Sequence, residues 1–306
     1  MFFLTSLMVK LNTGQPRPLS EYEALLPVIP FRKGLQHNIF QTNKTKEQSS
    51  AAIRDNIRKI QDCNPGWNYS LFDDADIEDY IGRFYGPVIL SYYKRIDPSY
   101  GAAKADFFRY LVIYREGGIY LDIKSSPDKP LDEVVKDGDC YLLSYWNNAP
   151  GDGHEGFGHY PGLPDYISRG EIIQWYIAAS AGHPLLRLVI ATVLRNIDAY
   201  NPFTDGVGWT GTMKTTGPIM YTKTIYDALA ATPGDYPVQW VDIIKDCGFR
   251  YSIFEKEQGE NPSAPSHTAV LSSDYRKASV PLIRSKSATL SKLNKLYLSI
   301  LRKTHK

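Results

Sequence analysis

The stretch Gly101 to Ser126, GAAKADFFRYLVIYREGGIYLDIKSS, decides how this chain is read. From Gly101 to Glu116 it holds no proline, and Phe107, Phe108, Leu111, Val112 and Tyr114 recur at helical spacing. It therefore predicts a helix, which Gly117-Gly118 ends. Ile119-Tyr120-Leu121 predicts a short buried strand with a carboxylate, Asp122, at its end. Asp106, Arg109 and Tyr110 stand at i, i+3 and i+4 and share one helical face. An acid and a guanidinium on one face bind a vicinal diol, because the carboxylate accepts from hydroxyls while Arg offers donors in a fixed fork. Sugars are built of such diols, and Asp122 is placed to reach the same cleft.

The run Ala105-Asp106-Phe107-Phe108-Arg109-Tyr110, then Tyr114 and Gly117-Gly118-Ile119-Tyr120-Leu121-Asp122, resembles the sugar-nucleotide signature of glycosyltransferase family 32. That family includes yeast-type α-mannosyltransferases and bacterial and viral polysaccharide enzymes. The resemblance implies an α/β protein of GT-A type: a Rossmann-like mixed sheet flanked by helices, in one catalytic domain that binds a nucleotide diphosphate sugar. It implies retention of anomeric configuration, and donor contacts at Tyr110, Gly118 and Tyr120. The family usually ends the strand with Asp-any-Asp, the second acid binding Mn²⁺, whereas this chain reads Asp122-Ile123-Lys124. A lysine is no ligand for Mn²⁺ or Mg²⁺ at neutral pH, but it neutralises a diphosphate as a point charge.

With 306 residues the chain is long enough for a sizeable core in one large or two smaller domains. Its 22 tyrosines suit sugar stacking and equally suit a Tyr-rich core. The net charge of +2 hides an asymmetry, since Arg284 to Lys306 carries seven Lys/Arg and no acid while the rest is mildly acidic. An acidic body argues against nucleic-acid binding. Cys63, Cys140 and Cys247 have neither disulfide-framework nor zinc spacing, which points to a reducing compartment. MFFLTSLMV is far shorter than the ~20 apolar residues of a membrane span. The expectation is a cytoplasmic chain, or one from which an anchor has been removed.

Pro16, Pro18, Pro27 and Pro30 predict an irregular arm over residues 1–36, with the catalytic domain over 37–283. His37 to Thr42 predicts the first strand, and the family places donor base and ribose against this segment, which brings in Phe40, Gln41 and Thr42; an ordinary central strand fits the same residues. Lys46 to Cys63 predicts an amphipathic helix and Trp67 to Phe72 a strand. Asp73-Asp74 follows, where a carboxylate takes ribose hydroxyls or caps a helix, and the cap is preferred. Asp76 to Tyr93 predicts a helix, Asp139 to Trp146 a strand, and Asn147 to Gly170 a long loop assigned to the acceptor side.

Gln174 falls where the family tends to carry an Asn that donates to sugar or acceptor. His183, in Gly-His-Pro, is read as a turn and capping residue rather than a base. Thr215-Thr216-Gly217-Pro218 opens a helix with Thr available as cap, and in the family Thr216 and Gly217 border the site near diphosphate or acceptor. Late strands are expected over Val238–Ile244 and Arg250–Phe254. His267 falls where family members place a His that joins the metal or phosphate, so the resemblance implies Asp122 and His267 as metal ligands. In the tail, Leu290, Leu293, Tyr297, Ile300 and Leu301 recur at helical spacing among lysines. This basic amphipathic helix, over 284–306, suits an anionic membrane surface or docking on the acidic body.

There is no GxxxxGK[ST] loop, no HExxH and no GxSxG. The reading is a retaining transferase that moves a hexose from a UDP- or GDP-sugar to a glycan hydroxyl. Asp106, Arg109, Asp122 and Lys124 are its central residues. The alternative is a silent GT-A scaffold that binds glycans.

Overall fold

In chain order the strands are β1 (Asn38–Thr42), β2 (Asn68–Phe72), β3 (Gly118–Leu121), β4 (Ser126–Pro127), β5 (Tyr141–Leu143), β6 (Tyr176–Ala179), β7 (Gln239–Trp240) and β8 (Phe249–Arg250). Six of them form one mixed sheet of order β2-β1-β3-β6-β5-β7, while β4 and β8 pair separately. β1 runs parallel to β2 and β3, and β6 lies antiparallel to β3 and β5. The computed structural model describes residues 2–46, 49–254, 275–285 and 287–304.

The helices are α1 (Phe2–Asn12), α2 (Leu19–Glu23), α3 (Ala51–Cys63), α4 (Asp74–Arg95), α5 (Gly101–Glu116), α6 (Leu131–Val134), α7 (Pro184–Ala199), α8 (Gly208–Thr215), α9 (Pro218–Ala231) and α10 (Ala288–Thr304). They cover both faces of the sheet. Ile39, Ile119 and Leu121 pack on one face with Ile60 and Trp67, while the alternating Phe40 and Tyr120 pack on the other against α4, α5 and α7. Both faces of β1 and β3 are therefore apolar, as a sheet covered on two sides requires. The expected α/β architecture, a Rossmann-like mixed sheet flanked by helices, is the one observed.

α5 occupies the centre. Every residue from Asp106 to Tyr114 is buried, so this stretch of the helix has no solvent face on which polar side chains would be free. It ends at Gly117 (φ 67°), and Gly118 (φ 112°) turns the chain directly into β3. A Cβ on Gly118 would sit 2.4 Å from the Asn38 carbonyl oxygen, so close approach to β1 demands glycine here.

Several expectations change. The arm over 1–36 is not irregular throughout, because α1 and α2 fall in its proline-free stretches. α3 begins at Ala51, where the Ser50 hydroxyl caps it by accepting from Ile53 N. α4 breaks at Gly86 (φ 77°), just before Pro87, whose ring and missing N–H do not continue a helix. The late strands shrink to β7 and β8. Thr216 does not cap α9; Gly217 holds that position without a side-chain bond, and the Thr216 hydroxyl is used elsewhere. His183 caps α7 as expected: its Nδ1 accepts from Leu185 N and its ring packs on Tyr141.

Candidate active site

β3 ends where α5 looks down on it, and this juxtaposition brings the chemistry together. Arg109 Nη2 donates to Asp122 Oδ1 at 2.9 Å and lies 3.3 Å from Asp106 Oδ1. Its Nη1 donates to the Gln174 carbonyl, and its guanidinium lies 4.7 Å from the centroid of the Tyr120 ring. Burial opposes the charge on Arg109, but Asp122, Tyr120 and Asp106 outweigh it and raise the pKa, so the group stays a cation.

Asp106 sits beneath. Its Oδ1 accepts from Gln174 Nε2 at 3.2 Å and its Oδ2 from the Thr216 hydroxyl at 3.0 Å. Burial pushes this carboxyl up to about 6, against the opposing pull of Arg109 and the hydrogen bond from Thr216. With both oxygens engaged and 7% of the side chain exposed, Asp106 holds Arg109 in place rather than reaching a ligand itself. Asp122 is the outward member, a quarter exposed.

A cleft of about 250 Å³ opens over this pair. Thr42, Arg109, Tyr120, Asp122 and Lys124 line it, under the rings of Tyr251 and Tyr275. The Lys124 ammonium lies 3.6 Å from the Tyr251 centroid. Two further lysines, Lys44 and Lys104, line the same cleft, as does Asp74. Reading the sequence missed the two lysines, and for Asp74 it preferred a helix cap over a ligand contact. Lys44 stands in an ordinary polar loop and Lys104 among alanines, and only folding brings them beside the end of β3. The acid pair divides its work: Asp73 caps α4 through Ala75 N and Asp76 N, while Asp74 faces the cleft, where burial raises its pKa.

The other expected donor residues split into three groups. Thr42 and Tyr120 share a hydrogen bond at 2.9 Å at the cleft wall. Gln41, Tyr110, Gln174 and Thr216 sit behind it: Gln41 Nε2 donates to the Asp122 carbonyl, Gln174 Nε2 donates to Tyr110 OH, and Tyr110 OH donates to the Thr216 carbonyl. Phe40 is a core residue packed against Phe72, and Gly118 and Gly217 serve backbone geometry. His267 lies outside the described residues.

Among the described residues the donor set does not fit a divalent cation. Asp122 Oδ1 is bound by Arg109, Lys124 stands in the second-acid position, and no cluster of three His, Cys, Asp or Glu occurs among the described residues. Cationic side chains dominate the cleft instead. Such a lining receives an oxyanion-rich ligand, and one outward carboxylate takes hydroxyls.

Residues 50–140 match the family described as a glycosyltransferase sugar-binding region containing a DXD motif. The initiation-specific alpha-1,6-mannosyltransferase of Candida albicans is 28% identical over 216 residues, which are 65% of this chain and 53% of that protein. The protein of that name from Saccharomyces cerevisiae is 30% identical over 156 residues, 42% of this chain and 32% of its own length. The chain thus spans about half or less of the length of these relatives. A solved structure, PaToxG Glycosyltransferase, aligns with 70% of this chain and 75% of its own at 17% identity and a TM-score of 0.42. Residues 50–140 are thus similar to the glycosyltransferase sugar-binding region with the DXD motif, the second acid being replaced here by Lys124, and part of the chain is similar to the yeast-type mannosyltransferases.

Proposed function

We propose that the protein is a retaining glycosyltransferase that moves a hexose from a UDP- or GDP-sugar to a hydroxyl of a glycan or glycoconjugate. One observation carries this reading: the Arg109–Asp122 ion pair forms the floor of a cleft that also presents Lys44, Lys104 and Lys124. Asp122 accepts from donor hydroxyls while Arg109 donates beside it. Lys124, aided by Lys44 and Lys104, balances the charge that grows on the departing diphosphate. The bond between the anomeric carbon and the phosphate oxygen breaks, the acceptor oxygen bonds to that carbon on the same face, and the acceptor's proton passes to the leaving phosphate. No side chain need serve as a strong base.

Asp106, Gln174 and Thr216 act as positioning residues for Arg109. A Mn²⁺ or Mg²⁺ ion, usual where the motif keeps its second acid, has no role assigned to it here, and Lys124 takes over the charge compensation. The relatives' names put mannosyl donors first in a screen. An anionic membrane surface, reached through the basic tail, belongs to the same reading.

Donor hydrolysis by purified protein, run with EDTA or with Mn²⁺, tests it. Turnover that survives chelation and falls in Asp122→Asn and Lys124→Met is expected. Absence of turnover and of binding with every common UDP- and GDP-hexose sinks it. Glycan binding without turnover favours the silent scaffold, for which Lys124 in the cation position is the motive.

A further inference from the structure

Twelve large hydrophobic side chains are exposed among the described residues, and half of them lie on α1 and α10: Leu4, Leu7, Leu11, Leu293, Leu296 and Ile300. On each helix they follow one spacing, i, i+3, i+7, which makes a single stripe. These stripes are not what holds the helices together. The seam consists of Thr5 against Tyr297 at 2.6 Å and a reciprocal amide pair between Asn12 and Asn294, with Met8 and Leu298 buried nearby.

The direction of the pair follows from those contacts. As α1 advances from Thr5 to Asn12, its partners on α10 step back from Tyr297 to Asn294, so the helices run antiparallel. Four of the six exposed residues precede a seam position by one (4 before 5, 11 before 12, 293 before 294, 296 before 297), and Leu7 precedes the buried Met8. A step of one residue is a rotation of about 100°. In an antiparallel pair of right-handed helices, equal backward steps from facing seams turn both stripes to the same side. The two rows therefore form one apolar strip.

Lysines edge the strip. Lys10, Lys292 and Lys295 each stand one residue further from the seam than Leu11, Leu293 and Leu296, and all three are exposed. Neither residues 1–20 nor residues 284–306 contain an acid. Apolar side chains down the middle and ammonium groups along the borders match the interface of an anionic bilayer, where the leucines enter the acyl boundary and the lysines reach the phosphates.

We propose that α1 and α10 together form a membrane-docking platform for anionic lipid. This deepens the membrane partner of the function proposed above by naming a two-helix surface in place of the tail alone.

The full chain, floated with phosphatidylcholine vesicles containing or lacking phosphatidylglycerol, tests the platform. Binding only where phosphatidylglycerol is present is expected. Lys292→Glu with Lys295→Glu should weaken it by at least about ten-fold, since each lysine near the surface is worth roughly five-fold. Leu4→Ser with Leu7→Ser should also weaken it, because α1 shares the strip; a loss confined to α10 variants overturns the two-helix platform. The lysine variant alters exposed groups alone, and its donor hydrolysis in solution should match that of the parent, so misfolding is read separately. No flotation, equal flotation on both vesicle types, or a dimer in solution that Leu296→Asp dissolves would each overturn the proposal. Flotation without any donor turnover leaves the platform standing and counts against the transferase.

Discussion

Arg109 Nη2 and Asp122 Oδ1 meet at 2.9 Å, linking the buried middle of a helix to the open end of a strand thirteen residues later. The two partners differ in exposure, at 5% and 25%, and this asymmetry separates what each contributes. Removing the inner partner strands a buried acid. Removing the outer one changes what the cleft offers a ligand.

Arg109→Ala should cost about 3–5 kcal/mol of stability, because Asp106 then remains buried without its cation. Asp122→Asn should leave the urea midpoint within about 1 kcal/mol of the parent while lowering donor turnover roughly 10²-fold, the scale of one lost transition-state contact. Chemical denaturation and a donor-hydrolysis assay on the two variants measure this separation. Equal loss of stability in both would show that the pair serves the core alone.

Glu171 gives a pH signature. It accepts from Trp146 Nε1 in a buried pocket, and burial pushes its carboxyl from 4.5 up to about 8, partly offset by the hydrogen bond from Trp146. A raised folded-state pKa means the folded protein holds the proton longer than the unfolded chain. The associated stability is complete below pH 4.5 and drains away as pH climbs toward 8, by up to about 1.4 kcal/mol per unit. Glu171→Gln keeps the acceptor for Trp146 and removes the titration. Its stability relative to the parent should rise from pH 5 to pH 9 by more than about 1 kcal/mol, read from urea midpoints across that range. A flat difference refutes the assignment.

Gly118→Ala should be among the most damaging small substitutions. The added methyl meets the Asn38 carbonyl oxygen at 2.4 Å, and φ 112° is foreign to L-residues, so both space and backbone oppose it. A loss of about 3 kcal/mol or more is expected. Gly34, with φ 90° and open space around its Cβ position, supplies the control: Gly34→Ala carries the backbone strain alone and should cost only about 1–2 kcal/mol. Thermal denaturation ranks the two.

His183 tests capping against catalysis. Burial lowers its pKa to about 4, so the ring is neutral and its Nδ1 is free to cap α7, while Nε2 lies 3.1 Å from the Pro237 carbonyl. His183→Asn keeps a capping side chain but loses ring packing on Tyr141, and should cost about 1–2 kcal/mol with donor turnover per folded molecule changed less than roughly two-fold. A hundred-fold fall in kcat with stability intact would make the residue catalytic after all.

Spacing alone carried the helix over 101–116, its glycine stop, the strand that follows and the carboxylate at its end, because these are local matters of periodicity and backbone freedom. The same local logic placed the caps at Asp73 and His183. What it left out depended on distance in space. That Asp106 lies under Arg109 with both oxygens engaged, and so supports the site without facing the ligand, follows from Gln174 and Thr216 arriving from segments 68 and 110 residues away. Lys44 and Lys104 became cleft residues only when β1, α4 and α5 packed together, and the same packing turned Asp74, which the chain order offered as cap or ligand group, toward the cleft.

The first 36 residues show the limit from the other side. Their prolines marked where helices stop, yet α1 forms ahead of Pro16 and α2 between Pro18 and Pro27, and Thr5 of α1 is tied to Tyr297 of α10, 292 residues downstream. Residue order fixed the secondary elements and the chemical type of the groups available. Tertiary packing decided which of those groups face the cleft, which brace it from behind, and which apolar stripes stay uncovered, because burial and electrostatics act through space while periodicity acts along the chain.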